Sequence, residues 1–328
     1  MTKIAIIGAG LSGLTAAHLL KDHCEVTLFE KSRGVGGRMS TRRAEPYFFD
    51  HGAQYFTAKT KPFQAFIQPL LDQGIIEKWN VRCVTIDADN TSTKENWKDD
   101  RPRYVGVPGM NNVAKFLAKD LDIQSNTRII SLSNYDKWQL IDEQEQQFEG
   151  FDWVISTIPS PQAAQLLPQT FSFHCDIQLA EMDPCFALML GFEKDLSIEF
   201  EAAQITNSDL SWIAVNSLKP QRPGPFTLMV HSNPEFARTH IDNDRQPVMQ
   251  HLIEETSRII GHDVSSADYK TLHGWRYANV TQRKQTNRVF QDPDQKLAVC
   301  GDWCSSGRVE GAFTSAFNLA EKLKTHIL

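Results

Sequence analysis

Lys3-Ile4-Ala5-Ile6-Ile7-Gly8-Ala9-Gly10-Leu11-Ser12-Gly13 runs an apolar segment into three spaced glycines, and the next apolar segment, Glu25 to Phe29, closes on Glu30. The spacing predicts a dinucleotide-binding βαβ unit: a buried parallel strand over Lys3 to Ile7, a helix over Leu11 to Leu20 and a second strand over Glu25 to Phe29. Gly8 permits the tight turn, Gly10 lets the backbone approach a pyrophosphate, and Gly13 lets the helix pack close on the sheet. The N-terminal amides of that helix, in the stretch Ala9, Leu11 and Ser12, face the phosphates. Glu30 stands where a carboxylate accepts hydrogen bonds from a ribose diol, and it would repel a 2′-phosphate. A glycine turn alone can be purely structural; the strand, helix and acidic residue around this one favour the dinucleotide.

Two further segments bear on which dinucleotide. Lys31-Ser32-Arg33-Gly34-Val35-Gly36-Gly37-Arg38-Met39-Ser40-Thr41 follows Glu30 at once, and a plain NAD domain has no need of it. Its glycines, Gly37 among them, free the backbone to wrap a long ligand, and Lys31, Arg33 and Arg38 put positive charge beside a diphosphate. The plainer alternative is a solvated basic loop. At the other end of the chain, an apolar strand over Leu297 to Cys300 stops at Gly301-Asp302, and Glu310-Gly311-Ala312 opens a helix that runs to about Lys324. A carboxylate at such a strand end can bond a polyol such as ribityl, and the positive end of the helix suits the anionic edge of a reduced flavin. A cofactor contacting both ends of the chain has the length of FAD.

These segments, with Asp50-His51-Gly52-Ala53-Gln54-Tyr55-Phe56, Ser156-Thr157-Ile158-Pro159 and Cys300-Gly301-Asp302-Trp303, resemble the flavin amine oxidase superfamily and, within it, the bacterial renalases. The resemblance covers nearly the whole length, with its motifs in the expected order. It implies an α/β fold of two lobes, a Rossmann-like FAD-binding domain of the glutathione-reductase type and a substrate domain of mixed antiparallel sheet and helix. Residues 1–57, 106–167 and 291–328 are expected to form the FAD-binding domain, and 58–105 and 168–290 the substrate domain. The cofactor implied is noncovalent FAD, with a backbone group of Ile129 at the adenine and with Gln54 and Thr157 among its contacts. The activity implied is oxidation of 2-dihydro- and 6-dihydro-NAD(P) to NAD(P)+ by hydride transfer to flavin N5, dioxygen then taking the electrons to give hydrogen peroxide. Similar bacterial proteins usually carry Met where His51 stands and Gly where Ala316 stands, so His51 is not taken as catalytic.

The composition suits such an enzyme. The chain has 328 residues, more than one ordinary core, with 34 basic and 40 acidic residues and a net charge of −6. No basic tract marks a nucleic-acid surface, and no apolar run reaches the length of a membrane span. The chain enters its first strand at once, leaving no room for a signal peptide, so a cytoplasmic protein is expected. Six cysteines and ten histidines show no metal-ligand spacing, and no metal site is expected. Cys300 and Cys304 are read as small core residues rather than as a flavin tether.

In the middle of the chain, helices are expected over Pro62 to Gly74, from Gly109 to Ala118 and over Gln246 to Ile260, and a polar loop or hairpin over Ala88 to Arg103. Thr127 to Ser133, Trp138 to Asp142 and Asp152 to Thr157 read as a small meander packed on the cofactor sheet. Alternating runs at Cys185 to Phe192, Ser211 to Val215 and Thr227 to His231 read as an antiparallel sheet. The substrate is expected between the lobes, walled by Gln54, Tyr55, His273, Trp275, Tyr277 and Trp303, with Gln54 or His273 orienting its polar edge and Arg276 near a phosphate. For the aromatics the competing reading is core packing. Two other activities fit the same motifs: oxidation of a small amine, and a flavin-binding sensor without catalysis.

Overall fold

Alternation along the first strand sets the layers. In the computed structural model of the chain, which describes residues 1–96, 101–281 and 289–327, Lys3–Ile7 is the fourth strand of a six-stranded sheet. Successive side chains of a strand point to opposite faces. Ile4 and Ile6 accordingly enter one core with the helices Leu11–Leu20, Asn111–Leu117 and Arg308–Ile327, while Ala5 and Ile7 enter another with the meander. The neighbouring strands repeat the division: Leu28, Ile155 and Ala298 face the helices, and Phe29, Val154 and Val299 face the meander. Across the sheet the order is Phe290–Asp292, Leu297–Val299, Trp153–Ser156, Lys3–Ile7, Glu25–Glu30 and Asp122–Ser125; only the Phe290–Asp292 edge is antiparallel.

Two assignments made from sequence change here. Trp153–Ser156 belongs to the parallel sheet, next to Lys3–Ile7, and the third strand of the meander is Gln147–Phe151, after Ile129–Asn134 and Trp138–Asp142. An all-apolar strand and a meander strand read alike in sequence, and only the pairing separates them. The last helix begins at Arg308, so Glu310, Gly311 and Ala312 lie in its first turn.

The second sheet has seven strands in the order Tyr269–Val280, Met182–Phe192, Phe226–Ser232, Leu210–Val215, Ala202–Thr206, Cys83–Asp87 and Asn90–Asn96. Phe186, Leu188 and Leu190 point to a core closed by the helices Pro234–His240 and Arg245–Ile260. On the opposite face Ala187 and Met189 meet Tyr47 and Phe49 of the hairpin Thr41–Ala44 and Tyr47–Asp50. That hairpin follows directly on the second glycine segment, so one short stretch of chain ties the cofactor-type sheet to the larger one. Part of the expected Ala88 to Arg103 loop, residues 97–100, lies outside the described residues; Cys83–Asp87 and Asn90–Asn96 before it form a hairpin. No helix among the described residues is long and apolar enough to cross a membrane.

Candidate active site

The glycine turn is built for close approach. Gly8 has φ +105°, and a Cβ there would lie 2.8 Å from the Thr157 hydroxyl; a Cβ on Gly13 would lie 2.0 Å from the Gly8 carbonyl oxygen. The Thr157 hydroxyl donates to the Ile7 and Gly8 carbonyls at 3.0 and 2.9 Å, so the end of Trp153–Ser156 fixes the turn. At Gly10 nothing lies within 4 Å of where a Cβ would stand, and a Cβ on Gly37 would come 3.5 Å from the Gly10 Cα. The Gly36 N–H donates to the Ala9 carbonyl at 2.8 Å, locking the second glycine segment onto the first. Ser12 donates to the Ala312 carbonyl at 2.9 Å, joining the first helix to the last.

Around these turns runs one cavity of about 2130 Å³. Ordinary small-molecule pockets reach ~1,000 Å³, so this one has room for a dinucleotide and a second molecule. Gly8, Gly10, Leu11 and Ser12 line it at the first turn, Glu30, Lys31, Arg33, Gly37 and Arg38 along the second segment, Ile129 and Thr157 at strand ends, and Asp302, Glu310 and Ala312 near the last helix. Ala9, Gly13, Gly301 and Gly311 are not among the lining residues and shape the turns from behind. The buried Glu30 carboxylate accepts the Ala9 N–H at 2.9 Å and the Ser32 N–H at 2.8 Å, one on each oxygen. Each oxygen keeps acceptor capacity for a diol.

Some expected partners are already engaged within the protein. Arg38 forks onto Asp302 at 2.9 and 2.6 Å and donates to the Ala278 carbonyl at 3.0 Å, so the arginine read as a diphosphate ligand and the aspartate read as a polyol ligand hold each other. Glu310 accepts the Thr60 N–H at 2.7 Å and the Lys59 N–H at 3.1 Å. Gln54 is held on both ends: its amide donates to the Asp50 and Gly52 carbonyls at 2.5 and 3.1 Å, and its oxygen accepts from the Lys219 ammonium at 3.1 Å. It lines the cavity as a fixed surface rather than as a group free to turn toward a substrate. Arg276 is forked onto Asp242.

Beneath Gln54 lies a network the sequence reading missed. Asp50 has no exposed surface; Lys219 reaches it at 3.4 Å, Arg222 at 3.1 and 2.5 Å, the Thr41 hydroxyl at 2.7 Å and the Met110 N–H at 2.9 Å. Burial works to raise the Asp50 pKa, yet Lys219 and Arg222 outweigh it and hold it below the usual carboxylate range. Burial lowers Lys219 to about 8 against the pull of Asp50, which leaves it charged at neutral pH.

The other end of the cavity is aromatic. His51 lies 5.2 Å from Trp275 in a stacked pair and 5.1 Å from His273 edge-on, and the Trp275 indole donates to the His51 carbonyl at 2.7 Å. Burial, then the neighbouring His273 and Arg42, push His51 down to about 3. His273 falls to about 4 through burial and Arg42, and His231 to about 4 through burial and Lys219. All three imidazoles are neutral at pH 7. His231 lines the cavity from the strand Phe226–Ser232, and nothing in the sequence singled it out. Tyr55 and Tyr277 line the cavity; Trp303 does not. Trp303 is 6 % exposed, its indole donates to the Ile158 carbonyl at 3.0 Å and its ring packs near Phe290, so it is a core residue. Cys300 and Cys304 are buried and not disulfide-bonded, and burial pushes Cys300 up to about 12. Among the described residues no group of three or more His, Cys, Asp or Glu is placed to hold a metal.

A profile of NAD(P)-binding Rossmann-like domains matches residues 6–70, and one of flavin-containing amine oxidoreductases matches residues 88–324. The chain belongs to the flavin-containing amine oxidoreductase family. Within that family it is renalase-like: mouse renalase is 24 % identical over 361 positions, covering all of both chains. A 4,4′-diapophytoene desaturase of Staphylococcus aureus (strain MRSA252) is 49 % identical over 100 residues, but over only 26 % of this chain and 20 % of that one. Solved structures share the fold. A protein of Exiguobacterium sp. 255-15 described as a protoporphyrinogen oxidase superposes with TM-score 0.76 at 12 % identity, and a putrescine oxidase variant with TM-score 0.70 at 13 %, each over 99 % of both chains. The protein is an FAD-dependent oxidoreductase. Its own residues fit that cofactor: an open approach at Gly10, an acidic residue at the end of Glu25–Glu30, and a cavity long enough to run from Ile129 to Trp275.

Proposed function

We propose that this enzyme oxidises the isomeric dihydronicotinamides 2-dihydro- and 6-dihydro-NAD(P) to NAD(P)+, with dioxygen as electron acceptor. The observation that carries the reading is the acid–base character of the substrate end. His51, His231 and His273 are held neutral with pKa values of about 3 to 4, so none is a competent general base at neutral pH. Oxidation of a protonated amine must dispose of a proton. A dihydronicotinamide becomes its aromatic pyridinium by losing a hydride alone, so positioning suffices.

Among the described residues three carboxylates line the cavity, and each is held by protein donors: Glu30 by two amides, Asp302 by Arg38 and Glu310 by the Lys59 and Thr60 amides. When bound, FAD accepts the hydride and passes the electrons on. The roles we assign to the chain are to present its backbone at Gly8 to Gly13 to the diphosphate, to receive the ribose at Glu30, to meet the adenine at Ile129, and to wall a planar ring with Trp275 and Tyr55. We take the six-stranded sheet as the cofactor domain, residues 1–57, 106–167 and 291–328, and the seven-stranded sheet as the substrate domain, residues 58–105 and 168–290. The strands of the two large sheets support that division, Phe290 alone among them crossing it, while the small strand Tyr104–Gly106 spans the boundary at 105/106.

The test is peroxide formation in air with 2-dihydro-NAD, 6-dihydro-NAD, ordinary NADH, putrescine and an arylalkylamine. Turnover of the two isomers well above that of the other compounds is expected. Turnover of an amine and not of the isomers would move the protein to the amine oxidases.

A further inference from the structure

Arg42 sits in the hairpin strand Thr41–Ala44, paired with Phe49 of Tyr47–Asp50, and lines the cavity at its aromatic end. It is half-buried, its Nε is shielded from solvent, and that atom has no hydrogen-bond partner. An N–H kept out of water without an acceptor is costly, while the rest of the half-buried side chain reaches the cavity. Two of the arginines read as anion ligands are treated differently: Arg38 is neutralised by Asp302 and Arg276 by Asp242. No carboxylate is paired with Arg42 among the described residues. Its charge instead bears on His51 and His273, the two imidazoles packed against Trp275. An arginine fork beside neutral imidazoles, which can donate or accept, matches a phosphate.

We propose that Arg42 is the receptor for the substrate's phosphate, so that the site selects phosphorylated dihydronicotinamides over the uncharged riboside. This assignment rests on the dihydronicotinamide reading above and deepens it. We place the cofactor's own phosphates at the Gly10 to Ser12 turn, and Arg42, by the imidazoles His51 and His273, beside the second molecule that the cavity volume accommodates.

The test uses the FAD-loaded enzyme at fixed ionic strength and measures binding without turnover, by anaerobic calorimetry, of the ordinary 1,4-dihydro forms of nicotinamide mononucleotide and nicotinamide riboside, and of inorganic pyrophosphate. The wild type is expected to bind the mononucleotide about tenfold or more tighter than the riboside, as a charge-assisted fork should. In Arg42→Gln the mononucleotide is expected to fall to the affinity of the riboside, and in Arg42→Lys part of the preference is expected to remain. Pyrophosphate should compete with the mononucleotide in the wild type and not in Arg42→Gln. A wild type without a preference, a preference that survives Arg42→Gln, or loss of FAD from that variant would each overturn the proposal. An enzyme that takes up pyrophosphate through Arg42 yet binds neither nicotinamide would uphold the anion receptor and overturn the substrate reading instead. Thermal melts of both variants separate loss of binding from loss of fold.

Discussion

Asp50 compensates two buried cations at once. Lys219 and Arg222 both bond its Oδ2, and neither side chain is more than 1 % exposed. Asp50→Asn would leave two positive charges without a counter-ion, and removing one partner of a buried ion pair typically costs about 3 to 5 kcal/mol. Urea unfolding should show a loss of that order, and combining it with Lys219→Met should recover part of it; a loss below about 1 kcal/mol would contradict the account. The sequence showed Asp50 and Gln54 in one motif but not what holds them, because Lys219 lies 169 and 165 positions away and carries no local signal. Glu30 was legible, since its place at the end of Glu25–Glu30 follows from the fingerprint spacing. Glu30→Ala is expected to weaken FAD binding by about 1.5 to 3 kcal/mol, as lost charge-assisted hydrogen bonds should. Because Glu30 also anchors the Ala9 and Ser32 amides, Glu30→Gln should cost less; unchanged FAD affinity in the alanine variant would move the cofactor elsewhere.

Elements with a single strong pattern were readable, and those defined by their partners were not. Lys3–Ile7, Leu11–Leu20 and Arg245–Ile260 carry clear apolar patterns and lie where the sequence puts them, to within a residue. Tyr269–Val280 escaped because it is half-buried along most of its length, so neither alternation nor an apolar run marks its twelve residues. Asp122–Ser125 is short and polar and is a strand because it pairs with Glu25–Glu30. The contact between the first helix and its turn gives the element-scale prediction. In Gly13→Ala the new methyl would meet the Gly8 carbonyl at 2.0 Å, so backbone has to move. Overpacking typically costs about 1 to 3 kcal/mol. The purified variant should be both less stable and poor in FAD, whereas full FAD occupancy would show that this approach is not needed.

At the scale of the whole molecule, three histidines make the fold acid-sensitive. His51, His231 and His273 have folded pKa values of about 3, 4 and 4 against an ordinary 6.5. Above 6.5 they are neutral in both states and cost nothing; between 6.5 and about 4 only the unfolded chain takes up their protons, so stability falls with pH. Each contributes at most about 1.4 kcal/mol per pH unit in that window, His273 least because it is partly exposed. The melting temperature of the FAD-loaded enzyme should therefore drop steeply from pH 6.5 toward 4.5, with a shallower slope in His231→Asn; an identical slope in the variant would contradict the assignment. The same neutrality underlies the central claim that the site takes a hydride from a dihydronicotinamide without a protein base. The most direct measurement is anaerobic mixing of the enzyme with 6-dihydro-NAD or an arylalkylamine while following the flavin's visible absorbance. Rapid bleaching by 6-dihydro-NAD and none by the amine is the predicted result, and bleaching by the amine alone, or by neither, would contradict it.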